Sequence, residues 1–426
     1  MPDLLSTLRT ACQARQARRL GAPALMAAAI SLSLALAAPA TARAGKTPAP
    51  SPSPAASPAL KPGEADYRLL EVFKLIGQSR NREALEAAHQ LVQAAPNFQL
   101  AQLVYGDLLM AQSAPLKPMG ERAPKGSDAE GIRLLREEAK LRLAALRERP
   151  PAGAVPQQLL QLAAANRHVI AVDASRHRLF LFENQAGSLR LTADFYVSVG
   201  KLGFEKQAEG DQRTPIGVYF VTSRLDPKQL TDFYGAGALP LNYPNEYDKR
   251  RGKSGKGIWL HGVPTAQFTR APRSTDGCVA LSNIDLKQLL ETVEPRTTPV
   301  VIAPRLDWKK PEQLEAERLS FLKVFQSWRE AKAAANLPAL LTWYSPQFKA
   351  APADLTAYAA QLKAELKSPS PIDIKDLSFM SWRDQGEIMV VTFGELRGNA
   401  RTGVVRRQYW ARDNGQWKIF FEGVIG

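Results

Sequence analysis

Apolar positions along the chain follow different periods in successive regions. Between residues 67 and 110 they recur every three or four residues in three stripes, which predicts three helices. From His168 onward short runs alternate between apolar and polar residues, as in β-strands, and a helix near Asp285 precedes a strand at 300–302. The C-terminal part begins with helical patterns at 312–335 and 355–366. It continues with strand-like runs at 372–377, 388–393, 404–410 and 417–421. The order predicts a multidomain α+β protein.

The first helical stripes continue into a charged amphipathic segment, residues 128–147, that stops before Pro150-Pro151. Within the helical region, residues 65–150, the run from Glu83 to Phe98 resembles a tetratricopeptide-type hairpin. One such unit is too short to form a solenoid. The region is therefore either a small module packed on the next domain or a platform that docks a protein partner.

The first 44 residues have the composition of a secretory signal peptide. Five arginines and one acid accompany an apolar run from Ala22 to Ala38, and small residues favour cleavage after Ala40 or Ala44. The alternative is an uncleaved membrane anchor. Residues 45–64 are rich in Pro, Ala and Ser, which is typical of a linker. We expect an exported protein, periplasmic or associated with the cell wall, that touches the membrane only if the segment is retained.

The formal net charge of +15 favours acidic partners. For an exported protein these are the carboxylate-rich wall polymer and anionic lipid, and no motif of a nucleic-acid-binding fold is present. The four histidines and two cysteines show neither His-x-x-His nor Cys-x-x-Cys spacing. The sequence therefore predicts no metal, no other cofactor and no nucleic-acid partner.

Cys278 is the one cysteine that remains if the signal peptide is removed, because Cys12 lies inside that segment. A lone thiol in an oxidising compartment indicates function. His261 stands seventeen positions upstream at the end of a strand-like run, and a Cys–His pair can form a thiolate–imidazolium nucleophile. Gly277 allows a sharp turn with backbone N–H groups near an oxyanion, and the Gly262 carbonyl can accept the second imidazole N–H.

These residues resemble the signature of the L,D-transpeptidases, cysteine enzymes that cross-link peptidoglycan. The resemblance rests on His261-Gly262 followed by Ser274-Thr275-Asp276-Gly277-Cys278-Val279, on Thr214-Pro215-Ile216-Gly217, and on strand-like runs at 168–173 and 178–182. It implies a β-rich catalytic domain over residues 165–305, with Cys278, His261, Gly262 and Gly277 at the catalytic centre. Two positions depart from the family pattern: Asp276 replaces a second histidine, and Ala280 stands where Arg or Asn is frequent.

The family resemblance also implies where substrate binds. Residues 226–257 are long for a connection and would form a lid over the groove. Six residues in or near the lid, the signature and the Thr-Pro strand are candidate substrate contacts: Asn242, Tyr243, Thr214, Arg270, Arg273 and Ser274. The arginines would clamp carboxylates of the stem peptide.

The C-terminal residues 312–426 resemble the cone-shaped NTF2-like domains. The aromatic pattern runs from Phe325 through Trp328, Tyr344 and Phe348 to Trp410, with Trp417 close behind. The fold supports both enzymes and binding modules. We assign it to partner binding or dimerisation, with its aromatic residues in the core.

The resemblance implies an enzyme that forms a thioester on Cys278 from a peptidoglycan stem peptide and transfers the acyl group to an amine. Two alternatives remain at this point. One is a hydrolase on the same fold, either an L,D-carboxypeptidase or an amidase that releases a wall-linked protein. The other is a wall-binding scaffold without catalysis.

Overall fold

The computed structural model describes residues 59–121, 126, 128–350 and 353–425. The predicted signal peptide, most of the predicted linker and Cys12 lie outside these ranges. Within them, none of the helices has the length and apolar character needed to cross a membrane.

Four helices open the described chain, where the sequence predicts helices. They are α1 (Glu64–Gly77), α2 (Asn81–Ala94), α3 (Gln99–Met110) and α4 (Ala129–Arg147). Their apolar stripes meet in one core that includes Leu69, Leu91 and Val104. The resemblance to a tetratricopeptide hairpin stays a prediction.

The central region holds a five-stranded sheet, whose strands in spatial order are Ser188–Tyr196, Arg178–Gln185, His168–Asp173, Pro299–Ala303 and Gly217–Phe220. Two short strands precede it in the chain. The strands before residue 226 are β1 (Val155–Pro156), β2 (Leu159–Gln161), β3 (His168–Asp173), β4 (Arg178–Gln185), β5 (Ser188–Tyr196), β6 (Val199–Gly200) and β7 (Gly217–Phe220).

The predicted lid, residues 226–257, contains two 3-10 turns, β8 (Ala238–Pro240) and α5 (Glu246–Arg250). After it come β9 (Trp259–His261), β10 (Arg273–Thr275), β11 (Val279–Ala280), α6 (Asn283–Thr292) and β12 (Pro299–Ala303). Strands β11, β9 and β8 form a small sheet of their own, and β10 pairs with β6. One core joins this small sheet, α6 and one face of the five-stranded sheet, through residues such as Leu260, Leu286 and Ile170.

The described C-terminal residues form three helices and most of a seven-stranded sheet. The elements of this region are β13 (Trp308–Lys309), α7 (Pro311–Ala333), α8 (Leu337–Leu341), β14 (Tyr344–Ala350), β15 (Ala353–Asp354), α9 (Leu355–Glu365), β16 (Ile372–Arg383), β17 (Glu387–Arg397), β18 (Val404–Asp413) and β19 (Gln416–Val424). The predicted helices and the four strand runs are confirmed. The aromatic residues of the NTF2-like pattern fill the interior, where Trp328 and Trp410 are fully buried.

The central and C-terminal regions form one body. Strand β2 leaves the central region and pairs with β16 as the last strand of the C-terminal sheet. A shared core lies between the two sheets, with Phe180 and Val301 on one side and Met380, Val390 and Phe420 on the other. The C-terminal sheet therefore packs on one face of the five-stranded sheet, and the small sheet of β11, β9 and β8 packs on the other face.

Candidate active site

A parallel strand pair brings the histidine and the cysteine together. In the register of β9 and β11, Val279 lies opposite Leu260 and Ala280 opposite His261. Cys278, the residue before β11, is therefore set beside the start of β9. The turn that delivers it needs glycine, because Gly277 has a φ of 126° and a Cβ there would lie 2.7 Å from the Arg213 carbonyl oxygen.

The imidazole of His261 is buried and held in one orientation. Its Nδ1 lies 2.6 Å from the Gly262 carbonyl oxygen, which can only accept, so Nδ1 carries the proton and Nε2 is left as the acceptor. This is the contact expected from the sequence. The Phe233 ring stacks on the imidazole at 5.9 Å, and the Tyr234 ring meets it edge-on at 5.2 Å.

Asn283 joins the lid to the end of strand β9, and the sequence did not single it out. Its Oδ1 accepts from the backbone N–H groups of Ala236 and Val263, at 2.8 and 3.2 Å, and its Nδ2 donates to the Val263 carbonyl at 2.8 Å. A Cβ on Gly262 would lie 2.1 Å from Oδ1. The amide therefore occupies space that only a glycine at 262 leaves open. A sequence signal for Asn283 was available, because Ser282 is a helix N-cap residue shortly after Cys278.

Cys278 and His261 line one cavity of about 310 Å³. The charged residues of its wall have both signs: Lys206, Lys256, Glu209 and Asp276. Lys206 is buried and fixed, since its Nζ bonds Asp211 at 2.7 Å and the Ala208 carbonyl at 2.9 Å. The partly exposed Cys278 thiol donates to the Gly257 carbonyl at 3.4 Å. The cavity wall thus presents charges of both signs beside the thiol.

Both reactive groups are neutral at pH 7. Burial raises the pKa of Cys278 to about 11, and the charge of Asp276 adds to the increase, against a hydrogen bond from the Trp259 N–H and the charges of Arg270 and Lys206. Burial also lowers the pKa of His261 to about 4, with Arg270 acting in the same direction and the Gly262 hydrogen bond against it. The resting site thus differs from the preformed thiolate–imidazolium pair, because burial disfavours both charged forms.

The Gly277 N–H is engaged within the protein and not held open for an oxyanion. It donates to Thr275 Oγ1 at 3.2 Å, and that hydroxyl donates to the Cys278 carbonyl at 2.6 Å. Gly277 therefore provides the turn before Cys278, and the expectation that N–H groups near Gly277 and Cys278 bind an oxyanion stays a prediction.

Comparison with known proteins agrees with this arrangement. Residues 167–302 match the L,D-transpeptidase catalytic domain family. Residues 320–423 match the model of the Cds6 C-terminal NTF2-like domain. The L,D-transpeptidase-like domain thus contains His261 and Cys278, and the NTF2-like domain contains the C-terminal sheet.

Two solved structures have a similar fold over nearly two thirds of this chain. Bd1075 from Bdellovibrio bacteriovorus is 25% identical, with a TM-score of 0.55 over 64% of this chain and 98% of that chain. Pgp2 from Campylobacter jejuni, a helical cell shape determining protein, is 23% identical, with a TM-score of 0.50 over 63% and 95% of the two chains. No curated protein sequence matches the chain.

Four of the six candidate substrate contacts bond within the L,D-transpeptidase-like domain. Thr214 Oγ1 accepts from the Gly200 N–H at 2.9 Å, and Ser274 Oγ lies 3.0 Å from Ser198 Oγ. Asn242 Oδ1 accepts from the Phe220 N–H at 2.7 Å, and the Tyr243 hydroxyl donates to the Ser254 carbonyl at 3.0 Å. These side chains hold the sheets and the lid together, and their contact with substrate stays a prediction.

The two candidate arginines differ in position. Arg273 is exposed, and it pairs with Glu137 of helix α4 at 2.7 Å. Arg270 stacks on the Phe233 ring at 4.1 Å, and its charge reaches both Cys278 and His261. Arg270 is therefore the candidate that the structure brings close to the catalytic pair.

The two departures from the family pattern have distinct settings. Asp276 is exposed at the cavity rim, and its Oδ1 accepts from Lys201 Nζ and Gln212 Nε2, both at 3.0 Å. Ala280 is buried, and its N–H donates to the Ser198 carbonyl at 2.9 Å. Asp276 thus acts on the thiol by charge, while a larger polar side chain at 280 would have to enter a packed strand pair.

Proposed function

We propose that the protein is a cysteine acyltransferase of the L,D-transpeptidase type that acts on peptidoglycan stem peptides. The observation that carries the proposal is the pair of Cys278 and His261 in one cavity, with the imidazole tautomer fixed by the Gly262 carbonyl. The family match of the surrounding residues 167–302 supports the substrate class. Charges of both signs in the cavity wall suit a peptide with free carboxylate and amine groups.

Acylation begins with both groups neutral. As the sulfur of Cys278 approaches the carbonyl between diaminopimelate and D-alanine, its proton passes to Nε2 of His261. The new carbon–sulfur bond produces a tetrahedral oxyanion, for which the backbone N–H of Cys278 is the proposed donor. The carbon–nitrogen bond then breaks, and the D-alanine amine leaves with the proton from the imidazolium.

Deacylation uses the same two residues in reverse. The amine of a neighbouring stem peptide attacks the thioester carbonyl while His261 accepts its proton, and the thiol of Cys278 leaves with that proton. Water in place of the amine gives the hydrolase. The same catalytic pair can activate either an amine or water as acceptor. The reaction products must therefore be analysed to distinguish the transpeptidase from the hydrolase.

We also propose that the protein works outside the cytoplasm in the organisation of the cell wall and cell shape. The basic composition and the catalytic-domain match support this location. The interior of the NTF2-like domain is filled with buried aromatic residues, so a protein partner or a second copy would meet its outer surface. Partner docking by the helical region is a separate proposal.

Product analysis tests the function. The mature protein and Cys278→Ala are incubated with tetrapeptide wall fragments, and the products are analysed by mass spectrometry. A cross-linked dimer that lacks one D-alanine, formed by the wild type alone, supports the transpeptidase. Shortened monomers alone support the hydrolase. Unchanged fragments, with binding to isolated wall sacculi, support the scaffold.

A further inference from the structure

The chain between the two reactive residues is attached to the helical region. This return loop, residues 264–273, leaves strand β9 and comes back as β10 ahead of Cys278. The Phe268 N–H donates to the Asn97 carbonyl at 3.2 Å, and Asn97 Nδ2 donates to the Thr265 carbonyl at 3.1 Å. The rings of Phe98 and Phe268 stack at 4.6 Å.

Helix α4 makes a second attachment through a buried carboxylate. The Thr269 hydroxyl donates to Glu138 Oε1 at 3.1 Å. Glu138 is only 2% exposed, and Arg142 holds the same oxygen with Nε and Nη2 at 2.9 and 2.7 Å. The hydroxyl of Thr269 thus binds a carboxylate that already has a fixed partner.

Arg142 is itself held by Tyr196 of strand β5 and by Asp66 of helix α1. Its guanidinium stacks on the Tyr196 ring at 3.9 Å and bonds Asp66 at 2.7 Å. Asp66 also bonds Arg178 of strand β4 at 2.6 Å. Asp66 and the buried residues Glu138, Arg142 and Arg178 therefore form one network between the helices and the sheet, which gives Thr269 a rigid anchor.

Arg270, the residue after Thr269, connects the anchored loop to His261 through Phe233. Arg270 lies over the Phe233 ring at 4.1 Å, and its Nη2 donates to the Phe233 carbonyl at 3.3 Å. Phe233 in turn stacks on His261. A continuous series of contacts thus runs from helix α4 through the return loop and the lid to the imidazole.

We propose that Glu138 and Thr269 are positioning residues for His261, and that the helical region is a structural part of the active site. They hold Arg270, and Arg270 holds the aromatic lid that excludes water from the imidazole. The proposal builds on the function proposed above, but its first test measures the histidine without any substrate. In the wild type His261 is surrounded by Phe233 and Tyr234 of the lid, Arg270 of the return loop, Cys278 and the Gly262 carbonyl.

The test is the titration of His261, followed by NMR with selectively labelled histidine. The chain has four histidines, and His261→Gln identifies the signal. Burial holds the pKa of His261 near 4 in the wild type, well below the ordinary 6.5. Thr269→Val removes the hydroxyl and leaves the Glu138–Arg142 pair intact, so the lid loosens, water enters and the pKa of His261 rises towards 6.5.

Matched variants separate positioning from general damage. Thr269→Ser keeps the hydroxyl and should titrate as the wild type does. Glu138→Gln weakens the same contact and should shift His261 in the same direction as Thr269→Val. Glu130→Gln removes an exposed carboxylate of the same helix, paired with Arg133 at 2.6 Å, and should change nothing. If Glu138→Gln does not fold, the two Thr269 variants decide the question.

Turnover gives the second readout. Thr269→Val should lower kcat by roughly tenfold or more with KM little changed, because misplacement of a catalytic group slows the chemical step. An unchanged His261 titration in Thr269→Val overturns the positioning proposal. A wild type without products refutes the proposed function, yet the titration still decides whether the helices position His261.

Discussion

At the scale of single residues, the protonation of Cys278 and His261 sets the expected pH dependence. The thiol pKa is about 11 and the imidazole pKa about 4, so the neutral pair persists over the range between them. Proton transfer then accompanies attack on the substrate, and kcat/KM should be level from about pH 5 to about pH 10. A decline below pH 7 would show a histidine with an ordinary pKa and contradict the burial argument.

Alkylation of Cys278 by iodoacetamide tests the thiol alone. Because burial raises the thiol pKa, the thiolate is scarce at pH 7 and its fraction grows with pH. The rate in a Cys12→Ser background should rise roughly tenfold per pH unit towards pH 11. A rate that is already level above pH 5 would mean a preformed ion pair.

Asp276 should make this thiol less acidic. Its carboxylate is one cause of the raised pKa of Cys278, so Asp276→Asn should lower that pKa and speed alkylation severalfold at a fixed pH near 8. Glu83→Gln, at an exposed site on α2, should leave the rate as it is. Equal rates in wild type and Asp276→Asn would contradict an effect of this charge.

Some of these residue contacts follow from the sequence and others do not. The Gly262 carbonyl as partner of His261 was predictable, since a strand end followed by glycine brings that carbonyl within reach. Thr214 and Ser274 were assigned to substrate from their place in the family pattern, although their hydroxyls bond Gly200 and Ser198. A motif gives the neighbourhood of a side chain, whereas tertiary packing decides its partner.

At the scale of elements, Asn283 at the start of helix α6 holds the lid through hydrogen bonds. Asn283→Ala leaves the Ala236 and Val263 N–H groups without their acceptor, which should cost about 1–3 kcal/mol in the free energy of unfolding. It should also reduce kcat, because the lid near Ala236 loses its side-chain link to Val263, just after strand β9. Denaturant unfolding and turnover measure the two effects.

Asn336→Ala is the matched control for Asn283. It removes a side chain that accepts from the Ala339 N–H at 3.1 Å, at the start of helix α8 and outside the cavity. We expect a modest loss of stability with normal turnover. Loss of turnover in both variants would assign the effect of Asn283→Ala to general destabilisation.

The period of apolar residues predicted which elements form better than it predicted how the strands pair. The four long strands of the C-terminal sheet and helix α7 follow from local patterns. Strand β2 could not be assigned in this way, because its three residues join β16 more than 200 positions later in the chain. The same holds for α5 in the lid, whose Tyr247 packs in the core shared with Phe420.

At the scale of the whole molecule, the shared core should make the two domains unfold together. Phe180→Ala opens a cavity between the sheets and should cost about 3–5 kcal/mol. Calorimetry should show one transition that moves to lower temperature. The control Leu319→Ala, at an exposed position of α7, should have little effect. Two transitions, with only one shifted, would contradict a common core.

The most direct measurement is the mass of the intact protein during reaction with a tetrapeptide stem fragment. The account predicts that the wild type gains the mass of the fragment minus D-alanine, as a thioester on Cys278. Cys278→Ala should gain nothing, and His261→Ala should be acylated very slowly. The same adduct on Cys278→Ala, or its rapid formation without His261, would contradict the assigned nucleophile or base.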